Sequence, residues 1–192
     1  MVRLNMKLYE RGFLMSVFET RTKILEAASY IIQSDGILSF TLEKVAKQAG
    51  ISKGGLLYHY PSKEALVSGM VKYLKQNYTK SIEENANQDT MQKGRWTRSF
   101  IKGSFEKNNP DKYMNAGLMA AASVNRDLLK PIQDAYEHWQ DCINNDQIDP
   151  INSTILRLAV DGLWLSEIFD LAPLDEEKHQ EVLERLIELT KK

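Results

Sequence analysis

The chain has 192 residues, 43% hydrophobic and 27% charged. That allows one or two compact units with a buried core and excludes a disordered or low-complexity protein. The net charge of −1 says nothing about nucleic acid by itself, but it is unevenly spread: residues 1–75 hold 11 Lys and Arg against 6 Asp and Glu, and residues 76–192 hold 14 against 20, a basic head that suits a polyanion and an acidic body that does not.

Helical spacing recurs along the chain, with no strand pattern or internal repeat. Residues 1–15 read as an N-terminal extension. Arg3, Lys7, Glu10 and Arg11 interrupt its apolar residues, so it lacks the continuous core of a signal peptide. Met15-Ser16 is an alternative start, and residues 1–14 are expected to be dispensable; the rival reading is a basic arm entering a minor groove. The first helix carries Ile24, Leu25, Ala28, Ile31 and Ile32 and stops at Asp35-Gly36. Thr41 caps a second, short helix with Leu42, Val45, Ala46 and Ala49 on its buried face, ended by Gly50. Ser52 caps a third, with Ile51 and Leu56 placed for a hydrophobic staple, and Pro61 closes it. Ser62 caps a fourth beginning at Lys63.

The polar stretch Glu83 to Thr90 predicts a loop. Helices follow at 91–107, 111–124 and 127–145, and another runs from Asp149-Pro150 to about Asp170, with proline at the first helical position. Asp175 caps the last, and Lys191-Lys192 suits its C-terminal dipole. The expected fold is all-α with about nine helices. No apolar stretch reaches the roughly 18 residues of a membrane span. The single cysteine, Cys142, rules out an internal disulfide and suits a reducing compartment. A cytoplasmic protein without a membrane partner is expected.

The informative segment is Phe40 to Leu66, FTLEKVAKQAGISKGGLLYHYPSKEAL. Two short helices meet at Gly50, where Ala46 permits a close crossing, and this is the spacing of a helix-turn-helix. Gly54-Gly55 stands inside the second helix at roughly 1 kcal/mol each against alanine. Close approach to a groove floor or phosphate is one reason for the pair; fraying or tight packing against a neighbour is the other.

The same segment resembles the DNA-binding domain of the TetR/AcrR family, through Thr41, Ala46, Gly50, Ile51, Leu57-Tyr58-His59-Tyr60, Pro61-Ser62 and Lys63-Glu64-Ala65-Leu66. The resemblance covers about residues 20–75. It implies a helix-turn-helix DNA-binding domain over 16–62 and a helical ligand-binding and dimerisation domain over 63–192. It further implies that Lys53, Gly54, Gly55 and Leu57 face bases, that Thr41, Tyr58, His59 and Lys63 touch phosphate, and that Ser52 belongs to the same surface. The chemistry agrees, since hydroxyl, phenol, imidazole and ammonium groups donate to phosphate oxygens. Lys53 suits guanine O6/N7 and Leu57 a thymine methyl. With two glycines at reading positions, sequence choice is expected to lean on DNA shape. Glu43 stands near the backbone where many family members are neutral or basic. Tyr60 reads as core, and Tyr58, two residues away, as a contact.

The eighth helix, ILRLAVDGLWLSEIF from Ile155 to Phe169, is apolar on nearly every side and must be buried on two, one of them by a second subunit. The ninth adds Val182, Leu183, Leu186, Ile187 and Leu189. By resemblance such helices pair about a two-fold axis, so a homodimer is implied, with Ile155, Leu158, Gly162, Leu165, Leu183 and Leu186 at the interface. Tyr73, Trp96, Phe100, Phe105, Tyr113, Met114, Leu118, Met119, Tyr136 and Trp139 form either a plain core or a mostly apolar ligand cavity. The resemblance implies a cavity for a small effector, at Tyr73, Trp96, Phe100, Met114, Leu118, Tyr136 and Trp139. His138 and Cys142 share a helix with Asp134 and Asp141, but neither a metal site nor a cofactor is expected, and no catalytic signature is present. The expected function is a repressor on an inverted-repeat operator in double-stranded DNA, released by an apolar ligand. The alternatives are an activator, a regulator answering a protein partner, and a small helical enzyme or carrier.

Overall fold

The computed structural model describes residues 2–105 and 115–191, with side chains from residue 17 onward within those ranges. Among them are nine α-helices and no strand: α1 (Val2–Asp35), α2 (Leu42–Gln48), α3 (Lys53–His59), α4 (Lys63–Gln88), α5 (Arg95–Phe105), α6 (Ala116–Val124), α7 (Lys130–Asn144), α8 (Pro150–Ile168) and α9 (Glu176–Leu189). Short 3-10 turns lie at Ile37–Ser39 and Arg126–Leu129. No helix among the described residues is long and apolar enough to cross a membrane.

Two boundaries differ from expectation. Helix α1 runs through Met15-Ser16 without a break. The loop expected at Glu83 to Thr90 is instead the end of α4. Its polar composition conceals one buried face, Ile82 and Ala86, and Asn85 donates to the Ser81 carbonyl at 2.9 Å.

The chain forms two compact units. The first comprises Met1–Tyr73 and Lys112–Leu129, so it takes in the first part of α4 and all of α6 beyond the expected division at residue 62. Here α1 packs on α2 and α6, and α2 on α3. Leu66, Val67, Met70 and Val71 of α4 are fully buried, and the small residues Ala116, Ala120 and Ala121 form the buried face of α6. The second unit comprises Leu74–Asp111 and Lys130–Lys192. In it α5 packs against α7, α8 and α9, and α7 against α8.

The start of α5 is built from a distance. Asp146 accepts from the Trp96 N–H (3.0 Å), the Thr97 N–H (2.8 Å) and the Thr97 hydroxyl (2.8 Å), while its carbonyl accepts from Gly94 (2.7 Å). One buried aspartate thus satisfies donors that a helix start leaves without partners.

Candidate nucleic-acid interface and ligand groove

Thr41 caps α2, its Oγ1 accepting from the Lys44 N–H at 3.3 Å, and Val45 and Ala46 anchor the helix inward. At its end Gly50 takes φ +68°. The Ile51 N–H donates to the Ala46 carbonyl (3.0 Å) and the Gly50 N–H to the Lys47 carbonyl (3.2 Å), a Schellman stop that needs a residue tolerant of the left-handed region. Ser52 then caps α3 by accepting from the Gly55 N–H at 3.0 Å. Leu56 is fully buried, and Tyr60 is 4% exposed, in the core as its spacing predicts. Ser62 accepts from the Ala65 N–H at 3.1 Å to start α4. Three capped helix starts and one glycine turn therefore hold α3 on α2.

The outward surface of α3 collects most of the expected contacts. Lys53, Gly54, Leu57 and Tyr58 are exposed, Tyr58 by 76%. Thr41 and Ser52 are exposed as well. Their caps use oxygen lone pairs, which leaves each O–H able to donate. Lys63 is half-buried, its ammonium 5.1 Å from the Phe40 ring centroid. His59 stacks edge-on with Tyr58, centroids 5.1 Å apart. Its partial burial, and then the Arg21 guanidinium, push the imidazole below its ordinary 6.5, so at neutral pH it is an uncharged donor.

Two features of this surface were not read from sequence. Lys53 Nζ lies 2.5 Å from Glu43 Oε1, tying α2 to α3; this hydrogen bond, with the charge of Lys53, holds the Glu43 carboxyl below its usual range. The second concerns the glycines. A Cβ at Gly54 would come no nearer than 4.0 Å to any neighbour, and one at Gly55 would meet only the Ser52 hydroxyl at 3.3 Å. Internal packing against another element therefore does not require Gly54.

In the second unit Phe100, Tyr136 and Trp139 meet with ring centroids 5.2–6.0 Å apart. Phe100 and Trp139 are 2% and 3% exposed, which is packed core. Trp96 is half-buried and stacks with Arg95. Tyr73 and Leu118 belong to the first unit, and Tyr113 and Met114 lie outside the described residues. Phe105 stacks on His179 at 4.8 Å, and Met119 is exposed.

An open groove of about 610 Å³ lies at Tyr136, lined also by Gln133, Glu137, Gln140, Asp141 and Arg157. Apart from Tyr136 the lining side chains are polar or charged, although apolar atoms supply most of its exposed surface. The Tyr136 hydroxyl donates to Asp161 Oδ1 (3.0 Å), and Arg157 pairs with Asp161 Oδ2 (2.5 Å) and donates to Gln140 (2.5 Å). Burial raises the Asp161 carboxyl, and Arg157 and Tyr136 offset part of that rise. The i, i+4 pair Arg157/Asp161 inside an otherwise apolar helix was the available signal for this network. Cys142 Sγ and His138 Nε2 are 3.8 Å apart, and no third side chain makes a metal cluster with them among the described residues.

Helix α8 buries only Ser153, Leu156 and Val160 within the chain. Ile151, Ile155, Leu158, Leu165 and Phe169 are 46–69% exposed, and the exposed Gly162 continues the row. Leu183 is half-buried, and Leu186 is 7% exposed, already packed inside its own unit.

The profile of the tetracyclin repressor-like C-terminal domain matches residues 94–191, and that of the tetR family of bacterial regulatory proteins matches residues 24–70. The chain belongs to the TetR family. It is 28% identical over 135 residues to the HTH-type transcriptional regulator LmrA of Bacillus subtilis, across 65% of this chain and 69% of that one. It is 29% identical over 91 residues to the nucleoid occlusion factor SlmA of Vibrio campbellii, spanning about half of that protein's length (46% of each chain). Among solved structures, a TetR-family regulator from Rhodococcus sp. shares the fold with a TM-score of 0.70 at 19% identity, over 91% of this chain and all of that one. The multidrug binding protein EbrR, solved with malachite green, gives 0.57 at 20% identity over 86% and 96%. As a TetR-family transcriptional regulator, the protein carries its helix-turn-helix within the first of these two profile matches in chain order, residues 24–70.

Proposed function

We propose that this TetR-family regulator is a homodimeric repressor that holds an inverted-repeat operator and releases it on binding a small ligand. The observation that carries the reading is the outward face of α3, where Lys53, Gly54, Leu57 and Tyr58 are exposed on a helix locked from behind by Leu56. Placed in a major groove, that face brings Lys53 and Leu57 to base edges. Thr41, Ser52, Tyr58, His59 and Lys63 then donate to flanking phosphates. Two such helices on a two-fold axis fit grooves about 34 Å apart or a multiple of it.

The ligand is proposed to be small and mostly apolar, with a polar group suited to Gln133 or Gln140, since Tyr136 is the aromatic residue that opens on the groove. Helix α4 follows α3 after a short break and is a single helix to Gln88. Displacing its later turns would shift the reading helix and spoil the match to the groove spacing. A ligand achieves this only by binding the displaced state more tightly, with a coupling of about 5–150-fold in operator affinity.

Selection of full-length protein against a randomised duplex library tests the assignment. An inverted repeat should be enriched; a library left without any consensus overturns DNA reading. A reporter carrying the recovered operator should rise on deletion of the regulator, whereas a fall would make it an activator. A molecule that binds the groove and leaves operator affinity unchanged overturns the coupling.

Two variants sharpen these assignments. Lys63→Ala should weaken specific and random DNA alike and reduce the salt slope by about 0.9 for each phosphate no longer neutralised, doubled in a dimer. An unchanged slope would remove Lys63 from the phosphate set. Gly54→Ala should stabilise the free protein by up to about 1 kcal/mol, since its Cβ has room and alanine favours the helix. It should nonetheless weaken operator binding, because the added methyl meets the DNA. A Gly54→Ala protein with higher Tm and unchanged affinity would show that α3 does not approach so closely.

A further inference from the structure

We infer that Glu43 and Lys53 act together as one reading group, selecting a G·C base pair in each half-site of the operator. The inference rests on α3 entering the major groove. Lys53 is the only Lys or Arg on α3, and its ammonium lies 2.5 Å from the Glu43 carboxylate across the helix-turn-helix. Both side chains stay open to solvent, 56% and 70% exposed. Lys53 adjoins the exposed Gly54, where even an added Cβ would have no neighbour nearer than 4.0 Å.

The pair therefore presents a donor next to an acceptor. A phosphate offers acceptors only, and an adjoining carboxylate repels it. The major-groove edge of G·C offers the complement: guanine N7 and O6 accept from Lys53, and the cytosine N4 amino group donates to Glu43. A T·A pair also sets an acceptor beside a donor, but a methyl group stands where guanine has N7, so Lys53 loses its second acceptor. With His59 uncharged, the paired α3 surface carries almost no net charge toward DNA, and discrimination there rests on hydrogen-bond matching. The hydrogen bond from Lys53 holds the Glu43 carboxyl below its ordinary 4.5, so Glu43 is an ionised acceptor at neutral pH.

The test selects full-length wild-type, Glu43→Gln and Lys53→Met proteins against the same randomised duplex library, followed by affinities for the wild-type consensus and its single-pair substitutions. Wild type should prefer G·C at one symmetric position by about 5–150-fold. Both variants should lose most of that preference at the same position while keeping the rest of the consensus. A consensus unchanged in Glu43→Gln, or a uniform tightening on every sequence, overturns the inference: the carboxylate would then be a bystander or a simple repulsive charge. Failure of the wild type itself to enrich any sequence overturns the DNA-reading assignment and this inference with it. Should Glu43→Gln misfold and lose every position at once, Glu43→Asp, which keeps the carboxylate one methylene shorter, should weaken the preference at that pair alone.

Discussion

Arg98→Met is expected to lower the stability of the folded chain by about 3–5 kcal/mol, the usual cost of removing one partner from a buried ion pair. Arg98 is 3% exposed. Its Nε donates to Asp89 Oδ2 (2.7 Å), Nη1 to the Lys93 carbonyl (2.8 Å) and Thr190 Oγ1 (3.2 Å), and Nη2 to the Met91 carbonyl (2.6 Å). One guanidinium thus ties the segment before α5 to the end of α9. Methionine fills much of the volume but leaves those acceptors without donors and Asp89 without its counter-charge. Against a typical total of about 5–15 kcal/mol, such a loss is severe.

Urea unfolding at pH 7 measures it; a change under 1 kcal/mol would mean that water replaces the guanidinium. The same pair has a pH signature. Hydrogen bonding from Arg98 holds the Asp89 carboxyl below its ordinary 3.8, so the folded state binds that proton less readily than the unfolded chain. The associated stability is fully present above the ordinary value and declines as pH falls below about 3.8 toward the folded value. In Arg98→Met that acid-side decline should flatten.

Leu158→Lys is expected to convert the protein to monomers at micromolar concentration and to reduce operator affinity by about 10³-fold or more, toward the level of non-specific binding. Ile151, Ile155, Leu158, Gly162, Leu165 and Phe169 recur at alternating steps of four and three. That is the 3.5-residue period of a seam between helices crossing at about 20°. The five apolar side chains are exposed within the chain, and Leu171 and Leu174 extend the apolar surface beyond the helix. An isologous contact places the same row on both subunits, so one substitution inserts two ammonium groups into a single interface. Because Leu158 is 52% exposed within the chain, helical content should persist while the oligomer is lost. Sedimentation and operator titration read both effects. A Leu158→Lys protein that remained dimeric would move the interface off this row.

The substitutions at Arg98 and Leu158 sit at opposite ends of what the chain discloses by itself. The α8 row is visible in the sequence because helical period is local, and an apolar residue every three or four positions must meet some surface. The caps at Thr41, Ser52, Ser62 and Asp175 were legible for the same reason: each side chain accepts from an N–H three residues away. The turn at Gly50 and the core position of Tyr60 followed from spacing within the same thirty residues.

Tertiary structure decided everything whose partner is distant. Asp146 sets the start of α5 from 49 and 50 residues away, and local sequence placed that start several residues too early. The end of α4 was misread because Ile82 and Ala86 count as a buried face only once other elements cover them. Arg98 meets Thr190 across 92 residues, and Lys53 meets Glu43 across a turn. Phe100 and Trp139 stood among residues that the family resemblance offered as a cavity wall, and packing made them core, while Arg157 and Gln140 brought polar groups to the groove at Tyr136. Backbone hydrogen bonding and helical period are short-ranged, so a sequence determines them residue by residue. Burial, charge pairing and the character of a cavity depend on which elements meet, and that is settled only when the chain has folded.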